Sequence, residues 1–387
     1  MSELLRHGIV QFAGALGALC ACAYSITVLW AGIRFARNVG RQPEPSVPFC
    51  PPVSILKSMR GVDPGMYESL RSHCLQDYPE YEIIFGVSSM EDPSVPLLEQ
   101  LKAEFPQRAI RIVYCKQVLG TNLKVSKLAQ MLPLASHGCI LVNDSDIRVP
   151  EDYLRRVSAP LADPAVGMVT CLYRGVPSGT LGSRLESLGI STDFAGGVLV
   201  AREMEGMAFG LGSTMVFSRQ ALEAIGGFHP ILDYLADDYQ LGSRIARSGM
   251  EVRLSEVVVQ DFLPAYDFPK FLEHQMRWAR TIRDSRRWGY AGLAVTYGIP
   301  WAVIALAFSA GAPWAWVLLA VTVALRMAAS WFVSAKILND SQSVRDLWLL
   351  PLRDAVALGI WIASFAGHRI EWRGQQYVLK DGKLRPA

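Results

Sequence analysis

Two stretches without a single charged side chain limit what this chain can become. Gly8–Ile33 and Gly289–Leu325 are each longer than the roughly 20 residues that carry a helix across the hydrocarbon core of a bilayer. In lipid every backbone N–H and C=O has to be satisfied within its own segment, so runs of this kind are helical. The first is read as a transmembrane helix and not a cleavable leader. It is too long for the apolar region of a signal peptide, and Arg34, Arg37 and Arg41 follow where a small-residue cleavage site would be needed. By the positive-inside rule those arginines place the next domain in the cytoplasm. The second run is long enough for two spans, with a break around Ser309–Trp314 where Gly311 and Pro313 fall. Arg326 then lies within the second span and requires a partner there.

A third apolar run, Leu347–Gly367, is interrupted by Arg353 and Asp354, which can pair with each other or with Arg326. If this run crossed, the tail with Arg369, Arg373, Lys380, Lys383 and Arg385 would lie outside, against the charge rule. It is expected to be re-entrant or interfacial, with the tail cytoplasmic and a small hairpin turning at Asp381-Gly382. The chain therefore reads as an N-terminal anchor (1–41), a Pro-rich linker (42–52), a catalytic domain (53–264), an interfacial helix (265–288), two transmembrane helices (289–338) and a final segment with its tail (339–387). That makes it an integral, multi-pass membrane protein. The net charge of +3 is small and forms no basic stripe away from the membrane flanks, which argues against a nucleic-acid partner. Seven cysteines fall without zinc-ligand spacing or a disulfide framework, as reduced thiols in a cytosol would.

From Val53 to Pro264 the pattern changes. Apolar runs of strand length, Val53–Leu56, Glu82–Val87, Ile110–Cys115, Cys139–Val142 and Gly167–Cys171, alternate with amphipathic stretches such as Pro64–Leu75 and Pro96–Phe105. Such alternation predicts an α/β domain with a mostly parallel sheet covered by helices. The run Cys139–Val142 ends in Asn143-Asp144-Ser145-Asp146, a strand delivering two carboxylates to its C-terminal end, where open α/β sheets bind ligands. Hard divalent cations that hold phosphates take such oxygens. A turn or a cap for the next helix, opened by Pro150 and Glu151, explains the same residues. Other polar clusters end neighbouring strands: Lys57 to Asp63, Ser88 to Asp92, and Gly120-Thr-Asn122-Leu-Lys124. Turn chemistry accounts for any one of them. Together they would make a nucleotide pocket from Lys57, Asp92, Asn122, Lys124 and Asp144, with Lys124 near phosphate.

Two further centres follow. Asp237 and Asp238 open a segment with Leu241 and Ile245 on one face, so they either cap a helix or supply the general base that a sugar transferase needs for its acceptor hydroxyl. In Lys270–Arg283, Arg277, Arg280 and Arg283 share one side at helical spacing, with Trp278 among them. That is a basic interfacial helix with an aromatic anchor, or a site where Arg277 neutralises a leaving diphosphate and Trp278 lines the acceptor.

Through these residues the chain resembles the membrane-bound glycosyltransferases of the family containing ceramide glucosyltransferase, and the related bacterial enzymes that glycosylate hopanoid lipids. The resemblance runs over Val53-Ser-Ile-Leu-Lys57, Gly61-Val-Asp-Pro, Gln76-Asp-Tyr-Pro, Glu91-Asp92-Pro, Gly120-x-Asn122-x-Lys124, Asp144-Ser-Asp146, Leu235-Ala-Asp-Asp238-Tyr and Arg277-Trp278. It implies a GT-A fold, a UDP-sugar donor, a divalent metal (Mn or Mg), a membrane-lipid acceptor and inversion at the anomeric carbon. By position it implies Asp92 near the nucleotide, Asp144 near the nucleotide sugar, Asp146 as metal ligand and Asp238 as base. His274 stands where the family has Gln or Arg. UDP-glucose and ceramide are the expected pair, with UDP-N-acetylglucosamine and a hopanoid polyol next. A processive polysaccharide synthase would need more membrane segments to build a channel, and a non-catalytic scaffold would not need its acids.

Overall fold

A computed structural model describes residues 2–39, 49–372 and 375–386. Most of the predicted linker, together with Arg41 and Arg373, lies outside the described residues. The chain forms two compact units.

The first comprises Gln42–Val176, Glu205–Pro264 and Gly382–Ala387, and is built on eight strands: β1 (Val53–Ser58), β2 (Tyr81–Val87), β3 (Ala109–Tyr114), β4 (Cys139–Val142), β5 (Ile147–Arg148), β6 (Val166–Val176), β7 (Met215–Ser218) and β8 (Glu251–Phe262). They lie in the order β3-β2-β1-β4-β7-β6-β8-β5. The β3-β2-β1-β4 half is parallel. Its strands β2 and β4 are buried along their whole length, as continuous apolar runs covered on both faces should be. The other half is mixed, because β7 runs antiparallel to both β4 and β6, and β5 antiparallel to β8. The sheet is thus α/β, as its alternating runs predict, but the sequence reading did not include β5, β7 or β8. Leu56, Ile84, Ile140, Phe217, Leu241 and Ile245 meet in one core cluster and fix the sheet under the helices that carry polar groups at its edge.

The second unit comprises Met1–Arg41, Pro177–Met204 and Ala265–Asp381. Pro177–Met204, inside the 53–264 stretch of the sequence reading, thus groups with the apolar helices. Among the described residues three helical segments are long and apolar enough to cross a membrane: His7–Asn38, Pro313–Ile337 and Ser341–Ser364. One pair of helices, Arg287–Thr296 and Gly298–Phe308, is apolar enough only when taken together and is bent by 56°. The N-terminal helix Ser2–Val39 lies against Gly298–Phe308 so closely that a Cβ on Gly14 would stand 2.7 Å from the Ala305 nitrogen. Small residues at such crossings are how helices pack in lipid, where burial of apolar surface supplies no drive.

Arg326 finds partners in this unit. Its guanidinium bonds Asp354 at 2.8 Å and also Asp193, while Arg353 meets the other Asp193 oxygen at 3.2 Å. Asp193 sits in a π-helical turn, Ile190–Phe194, between the helices Leu181–Gly189 and Ala195–Met204. Helix Leu181–Gly189 packs on Phe268–Ser285 at Gly182, where an added Cβ would lie 2.9 Å from the Phe271 Cβ. Gly182→Ala is expected to cost about 1–3 kcal/mol through overpacking, seen as a lower unfolding temperature in detergent. An unchanged temperature would mean the helices slide apart freely.

Arg280 and Arg283 differ from their reading as an exposed basic face. Arg280 donates to the carbonyls of Ala366 (3.0 Å) and Arg369, and Arg283 to those of Gly367 (3.0 Å) and Ser364. Arg283 thus caps the last carbonyl of helix Leu350–Ser364, and both arginines hold the turn that follows it.

Candidate active site

The turn after β4 is held from below. His73 is buried, and its Nδ1 donates to the Ser69 carbonyl at 2.9 Å, so its Nε2 accepts from Asn143 Nδ2 at 2.9 Å. Burial, then the neighbouring Lys57, keep this imidazole well below its ordinary pKa, so it is neutral, as that pattern requires. Lys57 Nζ donates to the Asp144 carbonyl at 2.9 Å, and the Ser69 hydroxyl to that of Asp146 at 3.2 Å. Ser145 turns outward to Asp63, donating at 3.1 Å. Sequence reasoning missed His73 and Ser69, and placed Asp63 only as part of the polar cluster after β1. Only the last left a signal, an acid in the loop after β1.

Asp144 and Asp146 are thereby presented on a braced turn. Lys124 Nζ lies 2.8 Å from Asp144 Oδ1 and 3.0 Å from Asp237 Oδ2. Burial works against its charge, but Asp144 and then Asp237 hold its pKa above the usual lysine range. The ammonium joins two acidic motifs that the sequence keeps far apart. Beside Asp237, Asp238 accepts from Gly212 N–H at 2.9 Å and from Tyr239 N–H at 2.7 Å. Each carboxylate oxygen keeps a lone pair for a further hydrogen. Burial, then Asp237, push the Asp238 carboxyl up to about 6, within the range that suits a general base near neutrality.

Asp146 is pushed up to about 7 by burial, then by Asp144 and Asp63. Asp63, Asp144, Asp146, Asp237 and Asp238 outnumber the two lysines that face them, Lys57 and Lys124, and burial lowers Lys57 to about 7. A bare diphosphate would be repelled here. Among the described residues no group of three or more His, Cys, Asp or Glu side chains is placed to hold a metal ion by itself. One or two carboxylates with room for phosphate oxygens is the arrangement Mg²⁺ and Mn²⁺ take with nucleotides, so the residues present fit a divalent cation.

Two of the residues read as nucleotide ligands are engaged within the protein. Lys57 is fully buried and spends its amine on the Asp144 carbonyl, so it shapes the turn and has no surface for a nucleotide. Asn122, also fully buried, caps helix Leu123–Met131 by accepting from Lys124 N (3.0 Å) and Val125 N (3.2 Å), and donates to the Tyr234 carbonyl at 2.7 Å. Its contribution is the placement of Lys124. Asp92 is half-buried, and its Oδ1 accepts from Gly61 N–H, Ser94 N–H and the Ser94 hydroxyl at 2.7–2.9 Å. Burial opposes its charge, but these bonds hold its pKa below the carboxylate range.

In the helical unit, Arg277 and Trp278 are half-buried on helix Phe268–Ser285. His274 precedes them by one turn, with its ring centroid 5.4 Å from that of Trp278 and 5.3 Å from that of Tyr266.

The model of glycosyl transferase family 21 matches residues 13–385. Ceramide glucosyltransferase 3 of Caenorhabditis elegans is 24% identical over 231 residues, which are 59% of this chain and 50% of that protein. The ceramide glucosyltransferase of Komagataella phaffii is 32% identical over 120 residues, 30% of this chain and 24% of that protein. The chain spans about half the length of the worm relatives it matches. A mannosyltransferase from Pyrobaculum calidifontis, solved in complex with GDP-Man and Mn²⁺, superposes with a TM-score of 0.54 at 20% identity, covering 90% of this chain and 99% of that one. That likeness shows a shared GT-A-like fold. With the family model matched over nearly its whole length, the chain belongs to glycosyl transferase family 21, the ceramide glucosyltransferase family.

Proposed function

We propose that this chain is an inverting, non-processive hexosyltransferase that moves one sugar from a UDP-sugar, UDP-glucose first, to the hydroxyl of a membrane lipid such as ceramide. The observation that carries this reading is Lys124. Its ammonium, between Asp144 and Asp237, puts the donor-side acids and the base-side acids in one electrostatic unit. Asp92 lies near the nucleotide and Asp144 near the nucleotide sugar. Asp146, with Asp144 beside it, would hold a divalent cation, manganese or magnesium, which when bound supplies positive charge against the diphosphate. Asp238 takes the proton of the acceptor hydroxyl as it attacks the anomeric carbon. Arg277 offsets charge on the departing UDP, and Trp278 lines the acceptor. The arginines after the first helix support a cytoplasmic catalytic domain, with the lipid approaching from the bilayer.

The test is UDP release from the detergent-purified full chain with manganese, crossing UDP-glucose and UDP-N-acetylglucosamine with ceramide and a hopanoid tetrol. Release with UDP-glucose and ceramide is expected. Release with the other donor and the hopanoid alone would replace both substrates, and release with no pair would end the lipid-transferase reading.

A further inference from the structure

Asp237 and Asp238 are delivered to the site by Leu232–Leu235, a turn between the short helix His229–Ile231 and helix Asp237–Arg247. A turn has no ladder of its own, so its backbone groups need partners from elsewhere. One set comes from the loop after β3. The Leu232 carbonyl accepts from Asn122 N–H at 2.8 Å, and the Tyr234 carbonyl from Asn122 Nδ2 at 2.7 Å. The Asp233 carboxylate reaches back, its Oδ1 accepting from Thr121 N–H at 2.9 Å. The two segments run so close that a Cβ on Gly120 would stand 2.6 Å from the Leu232 Cβ.

The other set comes from far along the chain, from Gly382 and the strand Lys383–Pro386. Leu384 N–H donates to the Asp233 carbonyl at 2.7 Å, and Leu235 N–H donates to the Gly382 carbonyl at 3.1 Å. These bonds frame an antiparallel bridge between Tyr234 and Lys383. The Thr121 hydroxyl lies 3.0 Å from Asp233 Oδ1 and 3.3 Å from the Leu384 carbonyl, one hydrogen between the turn and the strand. Gly382 has φ of 77°, and a Cβ there would stand 3.2 Å from Cδ1 of Tyr234, so the approach requires glycine. The Leu384 side chain is buried beneath the strand, and the Lys383 ammonium sits 5.3 Å from the centre of the Tyr234 ring. Residues 382–387 accordingly group with the sheet, whereas the stretch before them groups with the helices.

We propose that the strand Lys383–Pro386, together with Thr121, is a brace that positions Asp238 for the acceptor hydroxyl by holding the turn Leu232–Leu235. Thr121, Gly382 and Leu384 are positioning residues. The turn runs directly into helix Asp237–Arg247, so a displaced turn moves Asp238, and with it Asp237 and its contact to Lys124. A shift of about 1 Å at a reacting group costs on the order of a hundredfold in rate. This rests on the reading of Asp238 as the base.

The test compares the full chain in nanodiscs with a variant lacking residues 382–387, by hydrogen–deuterium exchange and by UDP release. The deletion is expected to speed exchange about tenfold in residues 232–239, including the Tyr239 N–H that Asp238 accepts from at 2.7 Å, and to leave β1, β2 and β4 as protected as before. It should lower kcat by about ten- to a hundredfold with the KM for the UDP-sugar unchanged. In an Asp238→Asn background the same deletion should cost no more than about a further twofold, because both changes act through one carboxylate. Exchange that quickens across the whole sheet, or the full loss repeated on top of Asp238→Asn, means general loosening and overturns the proposal. Unchanged exchange in the turn, or unchanged kcat, overturns it too. If the deleted chain does not fold, Leu384→Pro, which removes the N–H donated to Asp233, and Leu384→Ile, which keeps it, decide in its place: the first should show the losses and the second should not. Failure of the base reading shows separately, as turnover retained in Asp238→Asn alone.

Discussion

Asp238→Asn is expected to lower sugar transfer by about a thousandfold, in the middle of the roughly 10²–10⁴ range that a positioned general base contributes. The carboxylate accepts from two backbone N–H groups, one on each oxygen. Both oxygens are therefore fixed, and each retains a lone pair for the acceptor proton. An amide offers one oxygen only, and its NH₂ would face either Gly212 N–H or Tyr239 N–H, donor against donor. The variant loses the base and part of the anchorage of the Gly212 loop at once. Thermal unfolding separates the two, because lost anchorage lowers the melting temperature while lost basicity does not. Turnover within tenfold of wild type, in a protein of unchanged stability, would remove Asp238 from the reaction.

Arg326→Met is expected to destabilise the chain by about 3–5 kcal/mol, the usual cost of leaving a buried charge without its partner. Asp354 has no solvent exposure and bonds Arg326 through the guanidinium at 2.8 Å. Asp193 keeps Arg353 as a partner, but Asp354 loses the guanidinium it is bonded to. Arg326→Met with Asp354→Leu removes both charges and should recover most of the loss, because a well-packed apolar pair often equals or exceeds a buried ion pair. Melting curves of the single and double variants in detergent measure the difference. If both melt at the same temperature, the ion pair is not what holds these helices.

Much of this architecture was legible and some was not, for physical reasons. Strands β1, β2, β4 and β6 announced themselves as apolar runs because they are buried between layers, and the edge strand β3 did so by composition although it is largely open to solvent. Strand β8 did not, because its burial alternates irregularly along Glu251–Phe262 and its sequence mixes charge with valine. Strand β7 is four residues long and finds its place through pairing with β4 and β6, contacts remote in sequence. Asp144, Asp146 and Asp238 stood out because acids at strand ends and helix starts carry a strong chemical signal. Lys57 and Asn122 carried the same signal for a different reason. A lysine bound for a phosphate and a lysine buried under a turn are the same letter, and the distinction rests on which carbonyl lies within 3 Å. His274 was visible as an oddity, but Glu186, whose Oε1 lies 3.0 Å from its Nδ1, was not, since the two are far apart in the chain.

The two arginines that bond carbonyls at and just beyond the end of helix Leu350–Ser364 have a topological consequence. A guanidinium cannot reach across roughly 30 Å of hydrocarbon, so the end of that helix and the helix Phe268–Ser285 share one face of the bilayer. The chain between them must then cross an even number of times. Three apolar segments lie on that path: the pair Arg287–Thr296 and Gly298–Phe308, then Pro313–Ile337, then Ser341–Ser364. Three crossings are forbidden by parity, so not all three of these candidate segments can span, and at least one would return to the side it entered. The 56° break in the first makes it the segment whose path is interrupted. Whichever one turns back, the strand that starts at Arg369 is delivered to the face on which Arg277 and Trp278 stand.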